Sequence, residues 1–155
     1  MYYLKEQLHN MNRTIFKIAL GRITQYANAL GYTVNVNSNT YAIYKDAYTI
    51  TAPRKAYNTQ ACIIGLLHEL GHAIQSESTF TSLPRTRVND SALVLELEYT
   101  AWREGWSIAR ELHIDTSILE YSYKAAWSRF WIGYAFKLAE YPRSTLKTLV
   151  SGYEP

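Results

Sequence analysis

Apolar residues recur along the first thirty positions of this chain at the interval of a helix. Leu4, Leu8, Met11, Ile15, Ile18, Ile23, Tyr26 and Leu30 keep approximate helical period, and Gly31 stands where such a helix would stop. This predicts a long N-terminal helix, bent near Gly21. The pattern then changes. Residues 32–36, 40–44 and 47–52 are rich in Thr, Tyr, Val and Ile and are separated by Asn37-Ser38-Asn39 and Lys45-Asp46, which reads as a three-stranded antiparallel meander. Pro53 ends the last strand, and Asn58 or Thr59 can cap a helix whose buried stripe is Ile63, Leu66, Leu67, Leu70 and Ile74. Residues 77–90, with Pro84, Arg85 and Arg87, read as a loop. Helical spacing resumes over residues 91–112, and a Ser117-x-x-Glu120 capping box opens an aromatic-rich helix to about Tyr141. The expected fold class is α+β, a single domain over residues 1–155 with no repeat or linker.

The polar side of the fifth segment carries the chemistry. His68-Glu69-Leu70-Gly71-His72 places two imidazoles four residues apart, about 40° around one helix face, close enough to bind one ion. Zn²⁺ takes imidazole nitrogens and, when catalytic, keeps a position open for water. Glu69 stands beside the first histidine, where a carboxylate can take the proton of that water. Gly65 and Gly71 each cost a helix about 1 kcal/mol relative to alanine, which suggests the close approach of another backbone or a ligand.

A third ligand is needed, and the next helix offers Glu96, Glu98 and Glu104. Glu98 falls amid Val94, Leu95, Ala101, Trp102, Gly105, Ala109 and Leu112 on the helical wheel, whereas Glu96 and Glu104 fall among Thr100, Arg103, Ser107 and Glu111. A carboxylate in an apolar stripe is costly without a partner, and a metal supplies one; a salt bridge to Arg85, Arg87 or a lysine is the alternative. Ala101 and Gly105 are small enough to bring this helix close to the histidine helix.

The run Leu66-Leu67-His68-Glu69-Leu70-Gly71-His72-Ala73-Ile74, followed after 25 residues by Glu98-x-x-Ala101, resembles the short gluzincin-type zinc metallopeptidases, nearest to the ImmA/IrrE-like proteins and their phage and mobile-element relatives. The likeness spans roughly residues 47 to 109. The usual family segment reads more like E-x-E-A-N-x-F-A, whereas here Trp102 and Gly105 follow Ala101. The resemblance implies a zincin-like fold, one Zn²⁺ held by His68, His72 and Glu98, Glu69 as general base, and a peptide or protein substrate. It also invites a donor for the tetrahedral oxyanion, for which Tyr99, His113 and Tyr121 are candidates, with a helix-capping role the stronger reading for His113. The resembled family places an exposed strand beside the active-site helix, which here implicates Tyr48, Thr49, Ile50 and Thr51 as a substrate edge.

Composition constrains the reading further. Hydrophobic residues make up 48% and charged residues 19% of the 155, so one buried core is expected and disorder is not. The net charge of +3 is scattered, which gives no reason to expect nucleic acid. Cys62, the single cysteine, fits a reducing compartment and stands about 120° around the helix from His68, so it cannot share its ion and is expected to be a small buried residue. That placement counts against a deformylase. No signal sequence is seen, and the apolar residues 130–136 are too few to span a bilayer; a soluble cytoplasmic protein is expected. Most of the fourteen tyrosines should pack at the rim of the core. The reading is a zinc metallopeptidase. Its rivals are a zinc-bearing interaction module without turnover, which would not need Glu69, and a hydrolase of some other amide.

Overall fold

A computed structural model describes residues 13–75, 91–114 and 116–137. The expected start of the first helix at Leu4, the loop of residues 77–90 and the end of the last helix near Tyr141 lie outside the described residues. The described elements are four helices and a three-stranded mixed sheet, an α+β arrangement: α1 (Arg13–Ala29), β1 (Thr33–Ser38), β2 (Ala42–Tyr44), β3 (Thr49–Pro53), a 3₁₀ turn (Arg54–Ala56), α2 (Gln60–Ile74), α3 (Ser91–Glu111) and α4 (Thr116–Lys137).

Helix α1 ends as expected at Gly31. Its φ of 88° lets Gly31 N–H bond to Asn28 O and Tyr32 N–H bond to Ala27 O, closing the helix with a left-handed residue. The buried face, however, is Phe16, Ala19, Ile23 and Ala27, while Ile18 and Leu30 are exposed. The expected stripe was rotated: it passed over Phe16 and two alanines and took in Ile18 and Leu30 instead. Ala19 and Ala27 are small, and burying them lets the helix lie close to its neighbours.

The sheet order is β1-β3-β2, with β1 parallel and β2 antiparallel to β3. This corrects the antiparallel meander. Ile50 pairs with Val34 on one side and Ile43 on the other, so the last strand in sequence is the middle one in space. Burial gives the reason: Ile50 and Ala52 are fully buried and Thr51 nearly so, whereas β1 alternates exposed with half-buried residues. A strand covered on both faces belongs at the centre. The assignment of Thr49, Ile50 and Thr51 as a substrate edge therefore fails, since that strand has a neighbour on each side. Tyr48 lies before it in the turn, exposed and at a φ of 47°. The free edge on the β2 side belongs to Ala42–Tyr44.

Helix α2 sits at the centre of the molecule, packed against α1, the sheet, α3 and α4. Thr59 caps it through Oγ1, which accepts from Cys62 N–H, as its position predicts. Ile63, Leu66, Leu67 and Leu70 are fully buried, as is Cys62. Below them an aromatic cluster joins α3 to α4: Tyr123 lies against Trp102 and Trp106 with ring centroids 5.2 and 5.0 Å apart, and its hydroxyl donates to the Trp102 carbonyl. That bond ties α4 to the helix turn that follows Glu98.

Candidate metal centre

Two glycine contacts set the spacing of α2 and α3. The Gly71 backbone meets the Ala101 carbonyl so closely that a Cβ at 71 would overlap it, and a Cβ at Gly105 would fall 2.5 Å from Leu67 O. The helix cost of these glycines is offset by the approach that only they allow. Gly71 precedes His72, and Ala101 is one turn beyond Glu98, so the approach brings the carboxylate to the histidines.

The three side chains converge. Glu98 Oε2 lies 2.9 Å from His68 Nε2 and 3.3 Å from His72 Nε2, and one donor atom from each residue falls within 4.8 Å of the others. Ligands about 2.0–2.1 Å from one tetrahedral ion stand roughly 3.3 Å apart, close to the two distances from Glu98. The donor set of two imidazoles and one carboxylate, all half-buried, therefore fits a metal ion of zinc's preferences. Burial alone would raise the Glu98 pKa, but hydrogen bonds and charge from His68 and His72 outweigh it and bring the carboxyl down to about 2. Burial opposes the charged form of His72, yet Glu98 and Gln75 together raise its pKa. The pair of imidazoles thus already holds an ionised ligand between them.

Neighbours fix the rings. The Trp102 ring lies 4.3 Å from that of His68, tilted by 32°. His72 Nδ1 pairs with Gln75 Oε1 at 3.0 Å, and Gln75 Nε2 donates to the Leu97 carbonyl. Gln75 therefore orients a candidate ligand and links the end of α2 to the residue before Glu98. Sequence reasoning missed it; the available signal was a polar residue three positions after His72, at the end of the helix.

Glu69 is 8% exposed, and among the described residues its carboxylate has no hydrogen bond or ion pair. Burial raises its pKa, against the opposing pull of His68 and His72. It borders two openings. One, of about 580 Å³, is also lined by His68, His72, Glu98, Ala42 and Ile43. The other, of about 420 Å³, leads away between α2 and α4. Tyr41 borders both. Its ring lies over Gly65, where any Cβ would collide with it, and burial pushes its phenol up to about 12. Gly65 and Gly71 thus have the two uses their presence in a helix suggested, a side chain at one and a backbone at the other.

The remaining candidates stand elsewhere. Tyr99 packs on Trp127 with centroids 5.5 Å apart, Tyr121 is 58% exposed on α4, and neither lines the openings at Glu69. His113 occupies the left-handed position that ends α3, at a φ of 52°, where Arg22 Nη1 donates to its carbonyl at 2.7 Å. This is a capping position, and His113 does not line the openings at Glu69. Glu104 pairs with Arg103 at 3.6 Å. No described helix is long and apolar enough to cross a membrane. No protein-family model, no curated protein and no solved structure matches this chain.

Proposed function

We propose that the chain is a zinc-dependent peptidase, with His68, His72 and Glu98 as ligands and Glu69 as general base. The observation that carries the reading is the buried, unpaired carboxylate of Glu69 beside three convergent donors, all facing one cleft. A structural metal needs ligands but no base. When bound there, zinc would supply a Lewis acid that acidifies water and polarises an amide carbonyl. Glu69, its pKa raised by burial, is suited to take the water's proton and hand it to the leaving amine. Trp102 and Gln75 hold the imidazoles, so that little reorganisation is left for the reaction.

The test compares zinc-loaded protein with chelator-treated protein on a peptide library, alongside Glu69→Gln. The amide keeps the shape but accepts no proton at neutral pH, so Glu69→Gln should retain its fold and zinc and lose cleavage. A cleavage that depends on His68 yet survives Glu69→Gln would replace this reading with that of a structural metal.

A further inference from the structure

The opening of about 420 Å³ between α2 and α4 is not needed to hold a metal or to activate water. It starts at His68 and Glu69, and its walls are Ile64, the Tyr41 ring, Trp102 and Ala126. These are mainly apolar surfaces, although the Tyr41 hydroxyl is buried without a hydrogen-bond partner among the described residues. Gln60 and Ser122, both buried, also line the opening, with Ser122 Oγ donating to Gln60 Oε1 at 3.0 Å. The Ser122 hydroxyl and the Gln60 carbonyl are thus engaged with each other and offer a ligand little polar attraction. At the solvent end stands the exposed Arg129, which has no carboxylate partner among the described residues.

We propose that this cavity selects the substrate: it takes a large apolar or aromatic side chain next to the scissile bond, and Arg129 pairs with a carboxylate on the adjoining residue. The inference rests on the peptidase reading and names its substrate class. The volume lies in the range of small-ligand sites, and filling apolar walls with an apolar side chain gains in proportion to the area buried. The planar guanidinium binds a carboxylate through two parallel hydrogen bonds. Because the cavity begins at Glu69, a side chain seated in it carries its own backbone to the general base. Glycine at 65 keeps the Tyr41 wall in place.

The experiment uses zinc-loaded Glu69→Gln protein, in which bound peptide is not consumed. Calorimetric titration compares blocked hexapeptides identical except for a central Phe-Asp, Ala-Asp or Phe-Asn, each in both orders. Phe-Asp in one order should bind about tenfold tighter than either relative, a difference typical of one well-filled pocket or one ion pair. Ala126→Trp, with Ala126→Leu as the milder filling, should erase the preference for Phe; Arg129→Gln should erase that for Asp. Zinc content should stay the same throughout. Equal binding of the three peptides, or preferences that survive these substitutions, overturns the proposal. The two readings separate cleanly: selective binding without cleavage by the Glu69 protein removes the peptidase and keeps the pocket, and cleavage without selectivity does the reverse.

Discussion

Gly71 and Ala101 touch backbone to backbone, one residue before a candidate ligand on α2 and one turn after the other on α3. The spacing of the three donor side chains therefore depends on a residue with no functional group. Gly71→Ala should push α3 away and lower zinc affinity about tenfold or more although every ligand remains, because a close-packed contact does not absorb a methyl group without a shift. Gly21→Ala is the control: nothing stands within 4 Å of a Cβ there, so that variant should gain up to about 1 kcal/mol of stability and leave affinity alone. Metal titration and thermal melts of both variants check this.

Glu98→Ala should lower zinc affinity by orders of magnitude, since one of three ligands is lost. Glu104→Ala removes a partly exposed pair with Arg103 and should change stability by about 0.5 kcal/mol or less, with the metal retained. Normal affinity in Glu98→Ala would show that the carboxylate serves only as a partner to the histidines.

Gln75→Ala deletes the group that orients His72. Losses of this kind in the outer shell of a metal typically cost about 10–100-fold in affinity. The same titration measures it, and Gln75→Glu, which keeps the acceptor for His72 but loses the donor to the Leu97 carbonyl, should recover only part of the loss.

The site was largely legible in the sequence and the sheet was not, for a physical reason. His68, Glu69 and His72 lie within two turns of one helix, so their spacing alone fixes which face they share, and Glu98 betrays itself by standing in an apolar stripe. Strand order is a property of the whole chain. Nothing local in residues 49–53 records that β1 and β2 lie on either side, apart from the sequence Ile50-Thr51-Ala52, whose small and apolar residues tolerate burial on both faces. Where Tyr99, Tyr121 and His113 stand relative to the openings at Glu69 was not legible, because a candidate donor is defined by where it points. Tyr41 was overlooked because its meaning lies in a contact with Gly65, distant in sequence.

The correction of the sheet moves the expected peptide-binding edge to β2, whose Ala42 and Ile43 line the opening at the metal donors. An extended peptide added to that edge gains main-chain hydrogen bonds. Proline at whichever of these two positions turns its amide outward should raise the Michaelis constant with zinc content unchanged. Thr51→Pro, inside a strand bonded on both sides, should prevent folding instead. Steady-state kinetics and circular dichroism separate the two outcomes.

Burial pushes the Cys62 thiol up to about 11 from an ordinary value of 9.0. The folded state therefore keeps the proton longer than the unfolded chain does. This contribution to stability is fully present below about pH 9 and is lost as the pH rises towards 11. Melting temperatures between pH 8 and about 11 should fall less steeply for Cys62→Ala than for the native chain. The native thiol should also resist alkylation until the protein unfolds.

The central position of β3 has a consequence for how the molecule assembles. β1 and β2 each pair with β3 and not with each other, so among the described residues both depend on the same strand for their ladder bonds. Only residues 54–59 separate that strand from the helix bearing the histidines. The strand that holds the sheet together is thus also the one to which the histidine helix is tethered. A lesion in a distant turn of the sheet should then be felt at the two histidines as well.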